Sequence, residues 1–183
     1  VPKPGVQERI LLHLRDYVDH AEKVEVPFAL SQMGIANAVS IARSNVPRAI
    51  SGLRDQGYLL EKQAHVTGVS RKRKAYFLTD EGAKLADDIW SKVGKQNVRV
   101  IGKDGRASTM ELAEALENTD LPLRHVDVIR YLDDSGTIDL SVLSADLIER
   151  DLSKHIEKQL VTSLSDLPRT RRFYGRELEL ENM

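Results

Sequence analysis

Two groups of side chains have the types and spacing to hold a polyanion. Asn45, Arg48, Ser51 and Arg54 recur at intervals of three residues, with Arg43 and Ser44 just ahead of them. On a helix that spacing gathers them toward one face, where amide, hydroxyl and guanidinium groups can hydrogen-bond base edges and phosphates. The second group is the run Arg71, Lys72, Arg73 and Lys74. Alone, such a run reads as a solvated hairpin tip; beside a polar helix face it becomes a clamp for phosphates.

The charge distribution supports the pairing. The whole chain carries a formal charge of -1, but residues 1–94 hold 14 basic against 11 acidic residues, and residues 95–183 hold 13 against 17. Between Arg43 and Tyr76 eight basic residues face only Asp55 and Glu61. Such local excess inside a neutral chain suits a nucleic-acid-binding module joined to something else.

Other chemistries find little support. With no cysteine there is no thiolate nucleophile, disulfide or Cys-based metal site. The five histidines are scattered, none three or four residues from another, so no metal site is expected. Asp87-Asp88 and Asp133-Asp134 are adjacent pairs, and adjacent helical residues point about 100 degrees apart, which makes them surface charge rather than a catalytic dyad. No Gly-x-Ser-x-Gly or Gly-x-Gly-x-x-Gly occurs. The expectation is a binding protein, not an enzyme, with no cofactor. The longest apolar run, Ala75 to Leu78, is far short of a membrane span, and no secretory signal is visible, so the expected location is the cytoplasm, away from membranes.

Positioning the two polar groups requires a small set of elements. Ile10, Leu11, Leu14, Tyr17 and Val18 predict a first helix from Gln7 to about His20. Val24, Val26 and Phe28 alternate around Pro27, which suits an edge strand. Ser31 is placed to cap a helix burying Ile35, Ala36 and Val39. After a turn at Ser40 and Ile41, Val46, Ile50 and Leu53 form the inner stripe of a third helix that ends at Gly57. Tyr58–Ala64 and Ala75–Leu78 read as two strands with a long cationic tip between them. Thr79 caps a fourth helix burying Leu85, Ala86, Ile89, Trp90 and Val93, and Trp90 is expected to pack in the core or between domains.

This order, with Gly-Ile-Ala-Asn-Ala-Val-Ser-Ile-Ala-Arg-Ser-Asn-Val-Pro-Arg-Ala-Ile and Tyr-Phe-Leu-Thr-Asp-Glu-Gly in register, resembles a MarR-like winged-helix DNA-binding domain over residues 5–94. The resemblance implies that Gln32–Val39 is the supporting helix, Ser44–Gln56 the major-groove helix and Arg71–Lys74 the wing. The chain departs from the usual pattern at Ala42 and Pro47, both at the DNA-facing end. Pro47 lacks an amide hydrogen, so Ser44 is expected to cap a late-starting helix.

Beyond residue 94, Val98 and Val100 precede Asp104-Gly105, a tight-hairpin signal. Ser108 and Glu111 have capping-box spacing ahead of Leu112 and Leu116, and another helix carrying Val126, Ile129 and Leu132 is expected to begin near Pro122. Ile138 and Leu140 suggest an extended segment, and from Ser144 an amphipathic helix runs toward Leu164. The tail Phe173-Tyr174-Gly175-Arg176-Glu177-Leu178-Glu179-Leu180 resembles the segment before the phosphate-binding loop of AAA and STAND-type ATPases, but no Gly-x-x-x-x-Gly-Lys-Ser/Thr follows. The chain is thus expected to be the N-terminal part of a longer archaeal-type regulator.

The expected fold is α+β: a winged helix-turn-helix at 1–94, a small, mainly helical α+β module at 95–143, and a C-terminal amphipathic helix and tail at 144–183. The expected partner is double-stranded DNA, read at Arg43, Ser44, Asn45, Arg48, Ser51, Arg54, Arg71, Lys72, Arg73 and Lys74. A homodimer is a candidate assembly, through helix one or the helix after Ser144, and would set two recognition helices about 34 Å apart. The alternative is a winged helix used to dock protein within a larger ATPase. No motif identifies an effector.

Overall fold

In the computed structural model, which describes residues 3–119 and 121–149, the first helix α1 is Val6–Arg15. Ile10, Leu11, Leu12, His13 and Leu14 are all buried, so this helix is a central pillar and not the one-sided stripe its periodicity suggests. It also ends earlier than expected. After Arg15 the chain turns through a short 3-10 stretch, Val18–His20, leaving Val18 exposed and Tyr17 half-buried. The polar groups there find partners elsewhere: Asp16 accepts from His125, and Tyr17 receives the Arg124 guanidinium. Hydrophobic spacing carries no record of such long-range partners.

The next strand, β1, is only Glu25–Val26. It pairs in parallel with β2, Leu59–Val66, which pairs antiparallel with β3, Arg73–Leu78, in the order β1-β2-β3. Pro27 follows the edge strand, where its missing N–H breaks no ladder. Between β1 and β2 lie the helices α2, Gln32–Val39, and α3, Val46–Asp55; α4, Asp80–Val93, follows β3. Helix, strand, helix, helix, hairpin, helix is the winged-helix order. Leu30, Ile35, Val39, Val46, Ile50, Leu53, Tyr76 and Ala86 join α1 in the core.

The Leu-Thr-x-x-Gly sequence after the hairpin has a concrete cause. Thr79 Oγ1 accepts from Gly82 N, capping α4, and donates to Gly57 O at 2.8 Å. Thr79 N donates to Tyr58 O at 3.1 Å. The first turn of α4 thus sits directly on the start of β2. A side chain at position 82 would place its Cβ 2.1 Å from Tyr58 O, so only glycine fits.

Past α4, β4 (Asn97–Ile101) and β5 (Ala107–Glu111) form the expected hairpin, with Gly105 at φ +76 in its turn. A third strand, β6 (Thr137–Asp139), adds in parallel to the other side of β4, giving the order β5-β4-β6. The capping box read at Ser108 and Glu111 does not form: Ser108 lies inside β5, paired with Val100, and α5 is Leu112–Glu117. Strand pairing claims the residues that local spacing assigned to a helix start. The next helix, α6, is His125–Tyr131, three residues after Pro122. Thr109-Met110-Glu111-Leu112 and Thr137-Ile138-Asp139-Leu140 are similar tetrapeptides, each carrying a strand beside β4 into a helix. Leu140 opens that helix and is not extended as expected.

This three-stranded module packs on the winged helix through α6. His125 sits between Asp16 and Arg15: arginine can only donate, so His125 Nε2 accepts from Arg15 and Nδ1–H donates to Asp16. Trp90 of α4 meets the His125 ring edge-on at 4.4 Å, the packing role expected of it. Asp87 binds Arg15, and Asp133 accepts from Ser135 N and Thr137 N. The described residues up to Leu143 form one compact unit, and those from Ser144 belong to a second, whose residues 144–149 are helical. The remainder of the expected amphipathic helix and the tail with the expected ATPase resemblance lie outside the described residues. No described helix is long and apolar enough to cross a membrane.

Candidate nucleic-acid interface

The turn between α2 and α3 is built from short, tightly bonded pieces. Ser31 caps α2 by accepting from Gly34 N at 3.1 Å while its hydroxyl donates to Phe28 O at 2.7 Å. Ser40 closes the helix in the left-handed region, φ 55 and ψ 53, and Ile41 N also donates to Ala36 O. The last carbonyls of α2 are claimed by arginines: Arg9 donates to Val39 O at 2.7 Å, and Arg130 of α6 to Asn37 O at 3.2 Å. The helix-turn-helix is therefore held in part by the second module.

The start of α3 differs from expectation. Arg43–Asn45 form a 3-10 turn, and α3 begins at Val46 with no side-chain cap. The late start follows from Pro47 as foreseen, but Ser44 does not cap. Asn45 N already donates to Ala42 O and Val46 N to Arg43 O, and Pro47 has no N–H, so the first turn leaves few free amides for a hydroxyl to satisfy. Val46, Ala49, Ile50 and Leu53 are buried; Arg43, Ser44, Asn45, Arg48 and Arg54 are exposed, and Ser51 is half-buried with its hydroxyl on Asp55 at 3.3 Å.

The hairpin is longer than the sequence suggests. Ala64 pairs with Arg73 and Gln63 with Lys74, so these two cations lie in β3, and only Arg71 and Lys72 belong to the tip. Gly68, at φ +80, makes the tip's turn possible. Thr67 ties its base to β1, with N–H and hydroxyl both on Val26 O. All four cations are exposed.

Two clefts join the helix-turn-helix to the hairpin, one at the Arg43 turn and the start of α2, the other at α3. One, of about 380 Å³, is lined by Phe28, Met33, Val66 and Val69 together with Arg43, Arg73 and Lys74. The other, of about 220 Å³, has Ser51, Arg54 and Pro47 of α3 on one side and Glu61, Lys74 and Tyr76 of the sheet on the other. The structure thus brings Arg43, Arg73 and Lys74 to one cleft and Ser51, Arg54 and Lys74 to the other, with Gln32 and Lys74 common to the two. Lys72 lines a different cleft with Lys23, Lys62 and His65, so the cationic run is divided between two surfaces. Arg48, Asn45, Ser44 and Arg71 are exposed but line none of these clefts.

Sequence reasoning missed Gln32 and Glu61. Gln32 follows the cap of α2, where a polar residue is unremarkable, yet its amide donates to Tyr76 OH at 2.9 Å across the cleft. Glu61 counted only as charge to subtract. It accepts from Lys74 at 2.8 Å and stands 3.5 Å from Arg54, and the lysine bond holds its carboxyl below the usual range while Lys74 is raised in turn. Burial raises the Tyr76 hydroxyl. Among the described residues no group of acidic and histidine side chains could hold a metal ion.

No known family profile matches this chain, and no curated protein matches it. Among solved structures it is similar to ZitR of Lactococcus lactis, a zinc-responsive MarR family member, at 22% identity over 50% of this chain and 54% of that one, with a TM-score of 0.37. A mutant of the same ZitR is similar at 17% identity over 86% and 76%, TM-score 0.40. MepR, a transcription regulator of the Staphylococcus aureus multidrug efflux pump MepA, is similar at 15% identity over 86% and 80%, TM-score 0.37. The first of these matches spans about half the length of its counterpart. With these TM-scores below 0.5, the winged-helix description stands on the order and pairing of the chain's own elements.

Proposed function

We propose that this chain binds double-stranded DNA sequence-specifically and works as a transcriptional regulator. The N-terminal part of α3 enters the major groove, where Asn45, Arg48 and Ser51 meet base edges, while Arg43, Arg71, Lys72, Arg73 and Lys74 neutralise phosphates. The observation that carries this reading is that hairpin cations meet the helix-turn-helix in two clefts: Arg73 and Lys74 border one with Arg43, and Lys74 borders the other with Ser51 and Arg54. An exposed polar helix beside a cationic ribbon fits a duplex, which presents base edges in the groove and phosphates along its flanks. As a dimer the chain would read a near-palindrome with half-sites about 34 Å apart. Catalysis has no part in this function, and residues 95–143 serve to brace the helix-turn-helix through α6.

Selection of bound duplexes from a random pool tests the proposal. An enriched motif is expected, and its half-site spacing gives the oligomeric state. A pool from which nothing is enriched, with no mobility shift, sinks the reading.

A further inference from the structure

Glu61 stands among the cations of the proposed DNA face, and the reading above gives it no task. It lies on β2, opposite Tyr76 in register and diagonal to Lys74, so its side chain shares a face of the ribbon with both. One carboxylate oxygen is 2.8 Å from Lys74 Nζ and the other 3.5 Å from Arg54 Nη1. The two cations are about half exposed, at 52% and 48%, while Glu61 is 24% exposed between them. One carboxylate therefore occupies one cation from α3 and one from the hairpin, at the place where the two meet. A phosphate that approaches either cation has to break an existing ion pair and also meets a like charge.

We propose that Glu61 is a specificity-determining residue of this face: it keeps Arg54 and Lys74 from binding arbitrary phosphate backbone, and yields them only to a duplex that the base contacts of α3 hold in place. The inference rests on the DNA-binding reading and deepens it. With the carboxylate present, the cluster of Glu61, Arg54 and Lys74 has a net charge of +1; without it, +2. Each additional phosphate neutralised steepens the fall of log affinity with log salt by about 0.9. Between ~1 M salt, where that contribution vanishes, and ~0.1 M, one such contact amounts to about eightfold in affinity.

The test compares the full chain with its Glu61→Gln variant, which keeps the size and removes the charge. Anisotropy titrations use a random-sequence duplex and the duplex enriched by selection, over a range of salt. The expected result for the random duplex is about eightfold tighter binding at ~0.1 M and a slope steeper by about 0.9, with a smaller ratio of selected to random affinity. Glu81→Gln, on the exposed first turn of α4, removes the same charge away from both clefts and is expected to change little. In a chain already carrying Arg54→Ala and Lys74→Ala, Glu61→Gln is expected to gain far less, only the relief of the like charge itself. A wild-type chain that binds DNA while Glu61→Gln leaves random affinity unchanged overturns the inference alone. So does an equal gain in Glu81→Gln, or a gain that is undiminished by loss of both cations. A wild-type chain that binds no duplex overturns the DNA-binding reading itself.

Discussion

Replacing Gly82 by alanine tests how the hairpin is fastened to α4. The new Cβ would stand 2.1 Å from Tyr58 O, 3.0 Å from Tyr58 C and 3.2 Å from Tyr58 Cα. All three are backbone atoms, and Tyr58 O is also held by Thr79 N at 3.1 Å, so no side chain can swing aside to relieve the clash. Overpacking of this kind costs about 1–3 kcal/mol, and a contact this short belongs at the upper end. Alanine returns about 1 kcal/mol through its better helix propensity. The net loss is therefore about 2 kcal/mol, which for a chain of this size lowers Tm by about 4–8 °C. Gly52→Ala is the matched comparison in α3: its Cβ would meet only the flexible end of Gln7, at 2.6 Å from Nε2, so that variant keeps or raises Tm. Thermal melts followed by circular dichroism decide the matter. A Gly82→Ala chain that melts as high as Gly52→Ala refutes the claim that α4 rests on the Tyr58 carbonyl.

Two further outcomes follow from histidines packed inside the unit, one buried and one half-buried. His13 is fully buried in α1 with one ring nitrogen on Ala29 O at 2.9 Å, and burial holds its pKa below the ordinary 6.5. The unfolded chain therefore takes up a proton that the folded chain refuses, so stability contributed by neutral His13 is present above pH ~6.5 and is lost as pH falls toward the folded pKa. Urea titrations of wild type and His13→Gln between pH ~7.5 and pH ~5 should show a loss on acidification that the variant reduces; equal pH dependence in the two contradicts it. His125→Ala strips Asp16 and Arg15 of their shared partner and removes the edge contact with Trp90. It should cost about 1–3 kcal/mol in denaturant titrations, and an unchanged midpoint would mean the second module is not braced there.

The winged-helix half was legible in the sequence because its signals are local. Ser31 and Thr79 cap the helices they precede, Gly57 takes its left-handed conformation at φ +80, and the inner stripe of α3 is Val46, Ile50 and Leu53 as spaced. Misreadings arose where a distant partner decides. Tyr17 and Val18 continue the apolar spacing of α1, yet the helix ends at Arg15, and Asp16 and Tyr17 meet residues more than a hundred positions away. Ser108 is a different case: two local signals compete, and its pairing with Val100 across the Asp104-Gly105 hairpin overrides its cap spacing. Within the candidate site, residue types were legible and grouping was not. Consecutive cations look equivalent in a sequence, whereas Lys72 and Lys74 border different clefts, and an acidic residue that only lowered a charge count turns out to sit between two of the cations.

Salt dependence of DNA affinity, measured for the wild-type chain and for one with alanine at Arg71, Lys72, Arg73 and Lys74, is the most direct test of the central claim. For the wild type, log affinity should fall linearly with log salt, by about 0.9 for each phosphate contacted. The variant should bind more weakly and with a shallower slope, by up to about 0.9 for each cation removed from a phosphate. Affinity that is independent of salt, or a slope that the four alanines leave untouched, would contradict a duplex held between α3 and the wing.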